Sequence, residues 1–289
     1  MDEREALRSL AETLPGAGDD AAVVDGLAIT TDMLHRSTDF PVGTTHYTAG
    51  WRAVGASLSD IAAMGAQPIA AVAAYAAQSL EWDELEPFVR GARDVCTAVG
   101  GEYVGGDLDD HGELTVTSTV VGRADRPVFR SGATPSEAVC VTGTLGRSGV
   151  ALELFERGET ERANELFRFT PRVAAGRTLA EHAGAMMDSS DGLARSLHQL
   201  AEASDCGFAI ESPLPVDEAV EGVADTERQR RELGAFFGED FELLCTVPDP
   251  MVEQIRKELS VSFTRIGEVV ESALTLDGEA LPDRGYTHG

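Results

Sequence analysis

Lysine is almost missing from this chain. Of the 23 basic residues in 289, 22 are arginine, and Lys257 stands alone. A P-loop needs the lysine of GxxxxGK[ST], and a protein kinase needs one on its third strand. Lys257 sits in MVEQIRKELS, which reads as an exposed amphipathic helix, so neither mechanism has a candidate and nor does a lysine Schiff base. Cysteine is scarce too. Cys96, Cys140, Cys206 and Cys245 are far apart with no CxxC, which points to reduced, mostly core thiols in a cytoplasmic protein. The six histidines show no zinc-type spacing and there is no GxSxG elbow. No uninterrupted apolar run reaches the ~18 residues of a membrane span, and no basic-then-apolar leader is seen, so neither a span nor a signal peptide is expected.

Acid is what the chain has in excess. Fifty Asp and Glu give a net charge of −27 and a pI near 4.4. That argues against nonspecific binding to nucleic acid or to an anionic membrane. With so little lysine, it suggests a protein that works in high salt, where screening tames self-repulsion. A functional carboxylate must therefore be recognised by its surroundings.

Along the chain, residues 2–14 read as an amphipathic helix. AAVVDGLAITTDML reads as a hairpin around Asp25-Gly26. A helix is expected over 45–65, stopped by Pro68, then a buried strand IAAVAAYAA. Residues 81–99 read as a helix, GGEYVGGD as strand plus turn and ELTVTSTVVGR as a strand. The first half is thus β-β-α-β-α-β-β. A break rich in small and turn residues at 131–137 separates it from a second unit opened by AVCVTGTLG, with AMMDSSDGLARSLHQ as strand-turn-helix and ELLCTVPDP as a further strand. The expected fold class is α/β (α+β) in two domains, 1–136 and 137–289.

Several carboxylates are out of place. From Ala53 to Leu80, Asp60 is the only charged side chain. On a helical wheel Trp51, Val54, Leu58 and Ile61 form a core stripe, and Asp60 falls on the far side beside Ala53, Ala56, Ala63 and Met64. A far face without charge, in so acidic a chain, implies a helix covered on both sides with Asp60 aimed into a polar site. Asp19 and Asp20 lie between a Gly turn and a strand. Thr30, Thr31 and Asp32 end a strand, Asp107 follows Gly105 and Gly106, and Asp188 and Asp191 flank a strand-to-helix turn. Singly, each has a structural reading as a turn or a helix cap. Together they are hard oxygen ligands beside small residues, the chemistry that holds Mg²⁺ with substrate phosphates.

GDDAAVV, TTDML, LSDIAAMGAQP, GGD, RSGA, VTGTLG, DSSDGL, SDCG and GEDFEL, in this order and at these separations, resemble the thiamine-monophosphate kinases. These belong to the superfamily of aminoimidazole ribonucleotide synthetase. The resemblance runs from about residue 16 to 268. It implies a homodimer whose N-terminal domains complete a β-barrel, and ATP-dependent phosphorylation of thiamine monophosphate with several Mg²⁺ ions. By position it assigns Asp20, Thr30, Thr31, Asp32, Asp60, Asp107, Asp188 and Asp191 to metals. It assigns Gly106, Asp107, Arg130 and Ser190 to ATP, and Glu239 to the thiamine end. Asp39 stands where the family carries a substrate-contacting histidine, with His35 four residues upstream. Tyr286 is the nearest candidate for the family's C-terminal aromatic. No general base is expected, because the acceptor is an anionic phosphate oxygen. The alternatives are a sister enzyme acting on another acceptor and a nonenzymatic nucleotide-binding protein. The sister enzymes with a reactive cysteine are disfavoured by a first cysteine at Cys96 and a YTHG terminus.

Overall fold

The computed structural model describes residues 9–10, 13–14 and 16–285. Most of the helix expected over 2–14, and Tyr286, lie outside the described residues. β1 (Ala22–Val24) and β2 (Leu27–His35) form the expected hairpin. Asp25 and Gly26 both take positive φ, 50° and 76°, as a two-residue turn matched to strand twist requires. A one-turn helix α1 (Arg36–Asp39) leads to α2 (His46–Ala63), then β3 (Gln67–Ala77), α3 (Trp82–Ala98), β4 (Glu102–Asp110) and β5 (Thr115–Arg123). The sheet order is β1-β2-β5-β3-β4.

Three local expectations are corrected. Helix α2 ends before Gly65, whose φ of 65° breaks it. Pro68 instead lies at the start of β3, where a bulge against β5 accommodates it. GGD continues β4 as an edge strand paired to β3. And β3 is not buried on both faces: Ala71, Ala73, Tyr75 and Ala77 are buried, whereas Ile69 and Val72 are exposed. The sheet has one covered face and one open one.

The second unit comprises β6 (Glu137–Thr142), α4 (Arg147–Glu156), α5 (Thr160–Phe167), α6 (Val173–Leu179), β7 (Ala185–Asp188), α7 (Leu193–Ser204), β8 (Gly207–Ile210), α8 (Glu227–Arg231), β9 (Leu243–Pro248), α9 (Val252–Glu258), β10 (Phe263–Val270), β11 (Leu274–Leu276) and β12 (Glu279–Ala280). Its sheet runs β12-β11-β8-β10-β6-β9-β7. Beyond α9 no strand is expected from the sequence, yet β10 sits mid-sheet between β8 and β6, and β11 and β12 form the sheet edge.

Helix α2 is the hub. Thr45 caps it, its hydroxyl accepting from the Thr48 amide at 3.2 Å. Val54, Leu58 and Ile61 pack on the first sheet with Ala71 and Val120. Ala62 and Ala63, on another face, pack with Val173 and Leu179 of α6. The helix is thus covered on both sides, as its uncharged far face implied. Each large apolar side chain buried here contributes about 1.5–3 kcal/mol. Against α3 the contact is closer still. A Cβ at Gly50 would lie 2.0 Å from the Phe88 carbonyl oxygen, and one at Gly91 would lie 2.0 Å from that of Tyr47. Gly50→Val or Gly91→Val should therefore separate the two helices and cost about 3 kcal/mol. Urea unfolding at constant KCl measures this, and a loss below about 1 kcal/mol would show that the helices are not in contact there.

Candidate active site

Strand alternation decides which acids meet. On β2 the residues facing α2 are Ala28, Thr30, Asp32 and Leu34; Ile29, Thr31 and Met33 face the open side. Thr30 donates to Asp60 Oδ2 at 2.5 Å. Ser57, one turn before Asp60 on α2, donates to Asp32 Oδ2 at 2.5 Å and lies 2.7 Å from the Ser118 hydroxyl. Ser59 donates to Asp188 Oδ2 at 2.6 Å. Asp188 is buried at the end of β7, so the second sheet delivers its carboxylate to the first domain's helix. Asp20, in the turn before β1, is clasped by the Arg130 guanidinium at 2.8 and 3.3 Å. The Arg130 amide donates to Asp19 at 2.6 Å.

Carboxylate oxygens of Asp20, Asp60 and Asp188 all lie within 4.8 Å of one another. Burial, then the charges of Asp32, Asp188 and Asp20, push the Asp60 pKa well above the usual carboxylate range. Burial and Asp20 raise Asp188 to about 7. Burial works against the Arg130 charge, but Asp20, Asp188 and Asp60 outweigh it and raise its pKa. One guanidinium cannot neutralise this many carboxylates. A hard divalent cation fits the donor set: oxygen ligands only, from three distant segments, with serine and threonine hydroxyls fixing their orientation.

Other predicted residues stand elsewhere. The Thr31 hydroxyl donates to the Ser118 carbonyl at 2.9 Å on the open face, because the residue after an inward Thr30 must point outward. Asp107, on β4, pairs in register with outward Ala74 of β3 and is exposed, three strand positions from β2. Neither side chain reaches the Asp60 cluster within one chain. Gly106 allows β4 to approach β3, since a Cβ there would sit 1.7 Å from the Ala73 carbonyl oxygen. Ser190 and half-buried Asp191 occupy the turn before α7, and Gln199 donates to Asp191 at 3.5 Å. Asp39 folds back to accept from the His35 amide and the Thr38 hydroxyl, each at 2.7 Å, closing α1.

The GEDFEL segment is a second polar centre. Glu239 accepts from Arg52. Asp240 accepts from the Gly146 and Ser148 amides at 2.6 and 3.0 Å, at the N-terminus of α4, and burial raises its pKa to about 7 despite these donors. Glu242 is held by Arg172 and by the Thr142 hydroxyl at 2.7 Å. A cavity of about 100 Å³ opens beside it, lined by Arg147, Ser148, Arg168, Phe169, Asp240 and Glu242 among others. Sequence reasoning missed Arg52, Ser57, Ser59 and Arg172. Arg52 carried a signal: it is the charge immediately before the charge-poor stretch that drew attention to Asp60.

Residues 18–124 match the family model "AIR synthase related protein, N-terminal domain", and 134–277 match the corresponding C-terminal domain. The chain is 58% identical to the thiamine-monophosphate kinase of Halobacterium salinarum, covering 100% of both chains. It is 40% identical to that of Methanospirillum hungatei, covering 100% of this chain and 99% of the relative. The solved structure of AaThiL complexed with AMPPCP and TMP superposes with a TM-score of 0.89 at 28% identity, covering 100% of this chain and 97% of that one.

The raised carboxylates have a consequence for stability. Asp188 and Asp240 keep a proton in the folded chain up to a pH of about 7, against an ordinary value of 3.8. Between those values the folded state binds more protons than the unfolded one, so stability falls as pH rises. In chelator at constant KCl, the melting temperature should be higher at pH 6 than at pH 8. Mg²⁺ should restore the pH 8 value. Asp188→Asn should flatten the pH dependence in part, Asp60 and Asp240 contributing to what remains. A melting temperature that rises between pH 6 and 8 in chelator would contradict this.

Proposed function

The chain belongs to the thiamine-monophosphate kinase family, and from that premise we infer that it transfers the γ-phosphoryl group of ATP to thiamine monophosphate, yielding thiamine diphosphate and ADP. The observation that carries the reading to chemistry is the meeting of Asp20, Asp60 and Asp188 on the buried side of α2, in a chain matched to such kinases over its full length.

The acceptor is a phosphate oxygen that is already anionic near neutral pH, so no group need remove a proton from it. What the reaction requires is alignment and relief of repulsion between two polyanions. Asp20, Asp32, Asp60 and Asp188, with Thr30, would hold Mg²⁺. Bound there, Mg²⁺ supplies the positive charge that lets donor and acceptor phosphates approach. Ser57 and Ser59 keep Asp32 and Asp188 in the orientation this needs. Arg130 offers ATP a guanidinium already ordered by Asp20. Ser190 belongs with ATP, Asp191 with metal, and Glu239 with the thiamine end. Asp39 would reach substrate only by giving up its contact with His35.

The open sheet face supports a homodimer. Ile29, Met33, Ile69, Val72 and Val104 are exposed on this sheet, an apolar surface that a second copy would cover by completing a barrel. Thr31, Gly106 and Asp107 would then meet their ligands at that junction rather than in the Asp60 cluster. Among the described residues no helix is long and apolar enough to cross a membrane. Four free thiols and the −27 charge support a cytoplasmic, salt-adapted enzyme.

Purified protein with ATP, Mg²⁺ and thiamine monophosphate should give thiamine diphosphate and ADP one to one, more at multimolar than at low KCl. No product at any salt, from folded ATP-bound protein, would overturn the reading. Asp60→Asn and Asp32→Asn should each lower turnover by at least about a hundredfold while the chain stays folded. Retained activity in both would remove the metal assignment. Sedimentation should show a dimer that Val72→Asp dissociates; a monomeric wild type would remove the barrel.

A further inference from the structure

The loop that carries Glu239 is bent and pinned. Gly238, Glu239 and Phe241 take φ of 105°, 64° and 53°. Two of these are non-glycine residues in the left-handed region, a conformation that persists only where the surroundings enforce it. The Glu239 amide donates to the Ser190 carbonyl at 2.6 Å, and its carbonyl accepts from the Ser148 hydroxyl at 2.6 Å. The Glu239 backbone is thereby tied to the turn assigned to ATP. Its carboxylate is tied to Arg52.

Arg52 has no freedom of its own. Its side chain is 1% exposed. It donates to the Phe167 carbonyl at 2.5 Å and lies 3.6 Å above the Phe167 ring, with Phe169 and Phe241 at 5.3 and 5.4 Å. The Phe169 and Phe241 rings stack at 4.1 Å. A guanidinium buried this deeply persists because a carboxylate, a carbonyl and ring faces replace its water. Arg52 and Asp60 are the two formally charged side chains of α2 apart from His46. Eight residues of helix separate them, about 12 Å. One rigid element therefore fixes both the carboxylate of the metal cluster and the cation that orients Glu239.

We propose that Arg52 is the positioning residue of the acceptor site: it acts through Glu239, aiming that carboxylate at the thiamine moiety, while α2 sets its distance from the phosphoryl-transfer end. This rests on the kinase reading above. The chemistry suits the ligand, since the thiazolium cation and the aminopyrimidine amine of thiamine are both recognised by a carboxylate.

Steady-state kinetics at constant KCl, with ATP and thiamine monophosphate varied separately, test this on Glu239→Gln, Arg52→Lys, Arg52→Met and the Arg52→Lys/Glu239→Gln double variant. Glu239→Gln and Arg52→Met should raise KM for thiamine monophosphate about ten- to a hundredfold, with KM for ATP within about twofold. Arg52→Lys keeps the charge without the fork and should fall between them and wild type. The double variant should be no worse than Glu239→Gln alone, because both changes remove one interaction. Should Arg52→Met not fold, Arg52→Lys and Glu239→Gln carry the same comparison. An unchanged KM for thiamine monophosphate in both, an equal rise for ATP, or additive effects in the double variant would overturn the proposal. A wild-type chain that makes no thiamine diphosphate removes the kinase reading, and this inference with it.

Discussion

Mutual repulsion among closely set, largely buried carboxylates is the constraint on which this structure turns. Oxygens of Asp20, Asp60 and Asp188 share a space of 4.8 Å, with Arg130 clasping one of them. Such a cluster strains the fold unless something stiff holds it and something positive joins it. The stiffness comes from α2, which is packed on the first sheet, on α3 and on α6. Its small residues let those neighbours come close, and its serines at 57 and 59 orient acids from β2 and β7. The helix is poor in charge because it has no solvent face to place charge on.

The same helix joins two chemistries. At Asp60 it meets acids from turns and strand ends of both domains. At Arg52 it meets the bent loop after α8, where Asp240 satisfies amides at the start of α4 and Glu242 pairs with Arg172. The GEDFEL motif is therefore largely a structural clasp, with three acids in three separate bonds. Only Glu239, on its left-handed residue, stands between the aromatic stack and the Ser190 turn.

Much of this was legible beforehand because the responsible signals are local. The Asp25-Gly26 turn, the apolar stripe of α2, and the strand-turn-helix at DSSDGL depend on neighbours in sequence. The lone Asp60 was legible as an anomaly of composition. Elements and residues whose role depends on distant partners were not. β10 was missed because nothing local marks FTRIGEVV as mid-sheet; its pairing with β6 and β8 does. Thr31 and Asp107 were grouped with Thr30 and Asp32 by motif, and the pleat parts them, sending them to the open face of the sheet.

By itself the sequence determined which carboxylates are out of place in a chain without a phosphate-binding lysine, the order of most elements, and the helix that must be covered on both sides. Only the tertiary structure decided which carboxylates share a space, that Arg52 rather than solvent faces Glu239, and that one sheet face lies open. The reason is physical. Residue type and spacing set what a side chain can bond to and which way it points along its own element. Which charges become neighbours depends on how two sheets and a helix pack, and that is settled by contacts between residues from 25 to 187 positions apart.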